Sequence, residues 1–275
     1  MFGIETQTLL GLSVVGALVT TVGSLIAAIL KDVVLARSFE RWKTRQSLAS
    51  VYRKYRDPIV FAAIELHRRY SEISQSYPPS YLSSSVLKSR PRSLTRPVDT
   101  DAYYLKYKLL STAYRLCALL GWIELYRQDL TFLDSGSRGS NQDFDTCIRA
   151  IQAHLADGQL NDASDWESWH DVLIFREEQR AIGEAMIRAS GPSRSVMGYG
   201  AFCELFDSDA GPSGRWLVTV SNFLLDPASE RDFRRVRLQL LAADLVDLVD
   251  VLDHARVTTD MEQFRVKTRR ALPGR

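Results

Sequence analysis

The chain predicts an all-α protein, an N-terminal transmembrane helix followed by a cytoplasmic multi-helix bundle, on three observations. No charged residue occurs from Thr6 to Leu30. Basic residues crowd the segment immediately after that run. Most of the remaining chain, roughly 245 residues, repeats apolar positions at helical spacing and is long enough for one large or two small domains.

Taken in order, residues 1–5 form a short external N-terminus and residues 6–30 the span. About 25 uncharged residues exceed the ~20 that a helix needs to cross a bilayer core. A secretory signal would place Lys or Arg before a core of ~7 to 15 residues. Here only Met1, Phe2, Gly3, Ile4 and Glu5 precede a longer run, so an uncleaved anchor is expected. Ser13, Gly16, Thr20, Gly23 or Ser24, and Ala27 place small residues along one stripe. Such stripes let helices approach closely in lipid, which predicts a homo-oligomer or a membrane protein partner.

Residues 31–75 read as juxtamembrane helices. Lys31, Arg37, Arg41, Lys43, Arg45, Arg53, Lys54 and Arg56 stand against Asp32 and Glu40, an excess of about +6. Basic residues mark the cytoplasmic flank, so the C-terminal part is expected inside and the N-terminus outside. Lys31, Arg37, Arg41, Lys43 and Arg45 would face anionic headgroups of the lipid bilayer, each contributing about 1 kcal/mol near the surface; a solvated helix face is the plain alternative. Val34, Phe39, Trp42, Leu48, Val51 and Tyr55 give an apolar stripe. Asp57 and Pro58 then carry the signal of a helix start, an N-cap followed by a first-turn proline. The new helix is expected to run to about Ser74 through Ile59, Ala62, Ala63, Leu66 and Tyr70.

Residues 76–100 form a basic Pro/Ser-rich loop, with Pro78, Pro79, Pro91 and Pro97 breaking any regular element. Its Lys88, Arg90, Arg92 and Arg96 read as a solvated connection.

Residues 101–256 form the bundle core, before a tail at 257–275. The helix from Asp101 to Leu133 is very apolar between Leu116 and Ile123, but Arg115 and Glu124 bracket too short a run for a second span. A short amphipathic helix follows from Asp143 to Ala156, then one from about Trp166 to Ala189 and another from Ser195 to Phe206. Arg215 to Leu225 fits either a helix or a strand, although a lone strand would have no partner. Ser229 to Asp253 closes the bundle, with Val236, Leu240, Ala243, Leu245, Val246, Leu248, Val249 and Leu252 as its apolar side.

Composition excludes several functions. A net charge of +2 is too small to argue for nucleic acid as a partner. Cys117, Cys147 and Cys203 show no Cys-x-x-Cys spacing, which fits reduced thiols and indicates neither a disulfide nor zinc. Neither a phosphate-binding P-loop nor a dinucleotide fingerprint occurs, so no cofactor is expected. His170 and Asp171 form a His-Asp pair of the kind found in metal phosphohydrolases, but His67, His154 and His254 have no spacing to complete a ligand set.

Two charge patterns remain as candidates. Glu177, Arg180, Glu184 and Arg188 share one helix face, where acids and bases alternate at ion-pairing distances. Glu177 and Glu184 lie about 10 Å apart along the axis, too far for a tight carboxylate pair unless another helix contributes. Glu124, Arg127, Glu177, Arg180 and Glu184 are therefore the candidate catalytic set, with a salt-bridge network as the blander account. In that account Arg180 and Glu184 fix register against Glu124, Arg127 or the aspartates of the last helix. Asp244, Asp247, Asp250 and Asp253 recur at three-residue steps, drifting about 60° per step. Two of Asp244, Asp247 and Asp250 could hold a hard cation; a solvated face, or pairing with Arg176, Arg180 and Arg188, is the simpler reading.

The segments WIELYRQDLTFL (Trp122 to Leu133), FREEQRAIGE (Phe175 to Glu184) and Leu238 to Asp253, together with Asp57 to Arg69, resemble a family of uncharacterised bacterial proteins with one span and a helical cytoplasmic part. The resemblance implies the bacterial inner membrane and no particular activity. Two function classes follow: a membrane-anchored interaction or signalling module, or a membrane-surface enzyme with a Glu/Arg pocket. They part on whether those side chains converge on an open cavity or pair in a dry contact.

Overall fold

The computed structural model describes residues 6–75, 82–84, 100–131, 142–157, 170, 172–191, 193–207, 214–226 and 233–252. Two compact units divide the chain, residues 1–50 with 133–137, and residues 51–132 with 138–275.

The first unit is described through helix α1 (Thr6–Gln75), as far as Ser50. Its backbone is helical throughout the uncharged run, as the apolar pattern predicts. Leu18, Val19 and Val22 lie exposed. The hydroxyls turn back on their own helix: Thr20 donates to the Gly16 carbonyl, Thr21 to Ala17 at 2.7 Å and Ser24 to Thr21 at 2.9 Å. Among the described residues no helix is long and apolar enough to cross a membrane. The side chains of residues 1–15 and 25–30, most of the expected span, lie outside those described. So do those of Arg37, Arg41 and Arg45, whereas Lys31 and Lys43 are exposed. Farther along, Phe39 and Trp42 stack at 5.8 Å on an exposed face.

In the second unit, the expected helix start at Asp57 and Pro58 is corrected, because Pro58 lies inside α1. A proline within a helix removes one backbone hydrogen bond and costs about 3 kcal/mol or more. Burial on either side offsets this, with Tyr55 at 1% and Ile59 at 0% exposure. The buried face continues through Ala63, Leu66, Tyr70 and Ile73, at the spacing of one helical stripe. The Pro/Ser-rich loop is described only at 82–84, and its Lys88, Arg90, Arg92 and Arg96 lie outside the described residues.

Helices α2 (Thr100–Thr131) and α3 (Gln142–Ala156) follow the expected bounds closely. Helix α4 (Arg176–Met186) is shorter than expected. The chain instead forms an antiparallel hairpin, β1 (Ile187–Ser190) with β2 (Ser193–Val196), pairing Ile187 with Val196 and Ser190 with Ser193. Gly191 adopts φ 58°, a left-handed turn conformation that glycine takes without steric cost. Met197 N–H closes the base of the hairpin on the Met186 carbonyl at 2.8 Å. Helix α5 (Tyr199–Asp207) therefore starts later than expected. The ambiguous Arg215 to Leu225 segment is helix α6 (Gly214–Leu224), burying Leu217, Val220, Phe223 and Leu224 along one stripe.

The last helix, α7 (Phe233–Leu252), buries Leu238, Leu241, Leu245, Leu248, Val249 and Leu252. Val236, expected inside, is exposed, whereas Arg234, Arg235 and Arg237 are buried. The reason lies at the ends of two other helices, whose last carbonyls have no partner within their own helix. Arg237 is 1% exposed and donates to the His154 and Asp157 carbonyls, both at 2.7 Å, at the end of α3. Arg234 donates to the carbonyls of Asn222 at 3.2 Å and Asp226 at 2.7 Å, at the end of α6. Cations at helix C-termini also complement the helix dipole. Burial pushes the Arg237 guanidinium down to about 10, the nearby Asp157 opposing the shift; at neutral pH it stays charged. Asp226, at φ 48°, receives the Ser84 N–H on its carboxylate at 2.9 Å and gives its own N–H to Leu82 at 2.7 Å.

Candidate functional site

Within the second unit, α1 and α2 pair in antiparallel fashion through charged side chains. Glu65 of α1 meets Arg115 of α2 at 3.0 Å. Two turns on along α1 and two turns back along α2, Glu72 meets Lys108. Arg69 lies between them, almost wholly buried, and donates to the Lys108 carbonyl at 3.0 Å. This ladder fixes register, because opposite charges recur on both helices at the interval of a shared face.

Beside the ladder lies a cleft of about 660 Å³. Its helix seam carries small residues: Ala62 on α1, with Ser111 and Ala118 on α2. Its walls are large rings, Phe61 of α1, Tyr107, Tyr114 and Trp122 of α2, and Tyr199 of α5. Small residues where two helices face each other, flanked by rings that hold them apart, leave a gap that no side chain fills. Pro58 also lines this gap.

The tyrosines support one another. Tyr199 stands edge-on to Tyr107 at 6.1 Å and to Tyr114 at 5.4 Å, arrangements favoured by the ring quadrupole. Tyr114 also donates to the Met197 carbonyl at 3.3 Å, tying the cleft wall to the end of the hairpin. Burial raises the phenol pKa of both Tyr114 and Tyr199, so both remain neutral at physiological pH. Three charged residues complete the lining, Asp57, Glu65 and Arg115. Burial lowers the pKa of Arg115, as does the neighbouring Arg69 charge, while Glu65 opposes the shift.

The candidate catalytic set does not line this cleft. Glu124, 2% exposed, accepts Arg127 in a two-pronged contact at 2.6 and 2.7 Å, and Gln128 at 2.8 Å. Those bonds and the nearby Glu184 raise the pKa of Arg127. Glu177, Arg180 and Glu184 are exposed on α4, and among the described residues no ion pair joins Arg180 to Glu184. The structure therefore brings Glu124, Arg127 and Glu184 together, while Glu177 and Arg180 stand exposed on α4. Gly183 decides this contact: a Cβ there would lie 2.7 Å from both the Glu124 Cβ and the Leu120 carbonyl oxygen. No ligand-sized space remains.

The aspartates of α7 also separate. Asp244 is 5% exposed and pairs with His154 Nδ1 of α3, not with an arginine of α4. Asp247 is exposed and Asp250 half-buried, while Asp253 lies outside the described residues. Among the described residues no group of His, Cys, Asp or Glu is arranged to hold a metal ion. Arg176 pairs instead with Asp157 at 3.1 Å. Asp171 lies outside the described residues.

Sequence reasoning missed a knot around Asp129. Its carboxylate accepts Tyr55 at 2.6 Å and Lys54 at 2.9 Å from α1, and Arg194 from β2. Burial alone would raise its pKa, but the bonds from Tyr55 and Lys54 and the Arg194 charge outweigh it and leave the carboxyl below its usual range. The cleft was missed as well, because its rings come from three helices with no shared sequence spacing.

Among the described residues these elements define an α-helical bundle bearing one β-hairpin and an aromatic cleft. No protein-family model, curated protein or solved structure matches the chain.

Proposed function

We propose that this protein is a membrane-tethered helical binding module, with the α1/α2 cleft as its binding surface. One observation carries the reading: the open concavity is lined mainly by rings and small residues, while Glu124 and Arg127 pair with each other elsewhere and Glu177, Arg180 and Glu184 lie exposed on α4. Apolar pockets of about 300–1,000 Å³ with few polar groups are the usual form of small-ligand sites. The enzyme reading loses support for the same reason, since Glu124 is committed to Arg127 and Gln128.

The tether rests on separate support. The run without charge from Thr6 to Leu30 is helical, and its described hydroxyls are satisfied within the helix, as a hydrocarbon environment demands. The basic residues after it favour a cytoplasmic placement of the second unit at a bacterial inner membrane. The stripe containing Gly16 and Gly23 is the proposed contact for a second copy or a membrane protein partner. Membrane pellets washed with alkaline carbonate should retain the full chain. Its quantitative release into the wash would reject the span and leave the cleft to be judged on its own.

A further inference from the structure

We propose that the cleft takes an organic cation, a quaternary or alkylated ammonium group carried on an apolar body; this rests on the reading of the cleft as the binding surface.

Three features converge on that ligand class. The first is the wall. Trp122 and three tyrosines surround one space together with Phe61, and aromatic faces attract cations through their quadrupole, most strongly for indole. The second is the charge at the mouth. Asp57 and Glu65 keep side-chain exposures of 61% and 46%, whereas Arg115 is 22% exposed and already bridged to Glu65. Glu65 and Arg115 pair with each other, so the charged residues that line the cleft sum to −1, carried by Asp57. Arg56 and Arg68 reach the same carboxylates from outside the cleft, but as exposed neighbours on one helix at 2.8 and 3.2 Å. Such surface pairs hold their partners weakly.

The third is the balance of polarity. An alkylated ammonium has few or no hydrogen-bond donors to satisfy, so it suits a wall whose phenols are partly committed, Tyr114 to the Met197 carbonyl among them. An anionic ligand would have to displace Glu65 from Arg115 and pass Asp57. The same headgroup chemistry could arrive free in solution or on a lipid.

The test uses the full chain in detergent micelles without a quaternary ammonium group, titrated by calorimetry with choline and with 3,3-dimethylbutan-1-ol, its neutral carbon counterpart of the same shape. Choline should bind at least about ten-fold more tightly. Glu65→Gln should weaken choline and leave the alcohol unchanged, and Phe61→Ala should weaken both. Equal affinity for the two probes overturns the cation proposal while preserving the cleft as a binding site. Binding of neither, by a protein whose melting is unaltered, overturns both. Flotation with phosphatidylcholine against phosphatidylglycerol vesicles, read as the difference between wild type and Glu65→Gln, identifies the source. A choline-lipid preference lost in the variant assigns a lipid headgroup, and choline binding without that preference assigns a free cation.

Discussion

Helix α2 turns two unlike faces to its neighbours. Toward α4 and the hairpin it presents Gly121 and meets Gly183, and the backbones come so close that even a methyl group has no room. Toward α1 it presents Ser111 and Ala118 among tyrosines, and the helices meet through charged and aromatic ends with a cleft between them. Both faces are lined by small residues at the seam, yet one is sealed and the other open. The difference is what flanks the small residue. Beside Gly183 the polar side chains fold along their own helix, Glu124 onto Arg127 and Gln128, so nothing props the helices apart. Beside Ala62 and Ala118, rings and ion pairs hold the spacing, and the small residues become a floor instead of a contact.

The largest effect should come from breaking the sealed face. Gly183→Ala places a methyl carbon against the Leu120 carbonyl oxygen and the Glu124 Cβ, neither of which is the free end of a flexible chain. Overpacking of this kind costs about 1–3 kcal/mol and outweighs the ~1 kcal/mol gained from helix propensity. Denaturant unfolding should register a net loss, while Gly16→Ala, with open space around it, should not. Equal stability of wild type and Gly183→Ala would show that the two faces of α2 are less different than drawn.

A second contrast involves pH. His67 of α1 is wholly buried, and burial, followed by the neighbouring Arg68 charge, pushes it down to about 4 from 6.5. Its folded pKa is below its unfolded one, so the unfolded chain binds the extra proton first as pH falls. The stability this neutral imidazole permits is complete above pH 6.5 and is lost as pH drops toward 4, by up to roughly 3 kcal/mol. The pH dependence of unfolding across that window should flatten in His67→Gln. A slope unchanged by the substitution assigns the acid sensitivity to other groups, with Asp129 the first to test at lower pH because its carboxyl is also held below its usual range.

The parts of this architecture that show in sequence are those governed by local periodicity. The stripe Ile59, Ala63, Leu66, Tyr70 marks its own buried face, and α3 declares itself by Phe144, Ile148, Ile151 and Leu155. Local signals fail where a distant partner changes their meaning. Asp57 and Pro58 read as a helix start, but burial on both sides carries the helix through. Val236 reads as part of the apolar side of α7, yet it is exposed, and the buried Arg234 and Arg237 close the ends of α6 and α3. The Glu124–Arg127 pair follows from i,i+3 spacing on α2, whereas the approach of Glu184 to Arg127 from α4 depends on how the two helices pack and has no local signal. The cleft had no such trace. Its one sequence echo is the matched interval of Glu65 with Glu72 and Lys108 with Arg115, which speaks of register and not of the gap beside it.

The smallest stability effect, and the one that isolates the open face, belongs to Phe61. Its ring is 65% exposed at the cleft wall, so it contributes little to the core. Surface substitutions away from caps and buried networks usually change stability by less than about 0.5 kcal/mol, and Phe61→Ala should melt with wild type. Its effect on ligand binding should be far larger than its effect on stability, because the largely exposed ring forms a wall of the cleft. Ala118→Phe approaches the same space from the floor, where residue 118 is 7% exposed, and should abolish binding by filling the gap at a modest cost in stability. If both variants melt normally and bind as wild type does, ligand binding does not use this face, and the spacing of α1 from α2 is only a feature of packing.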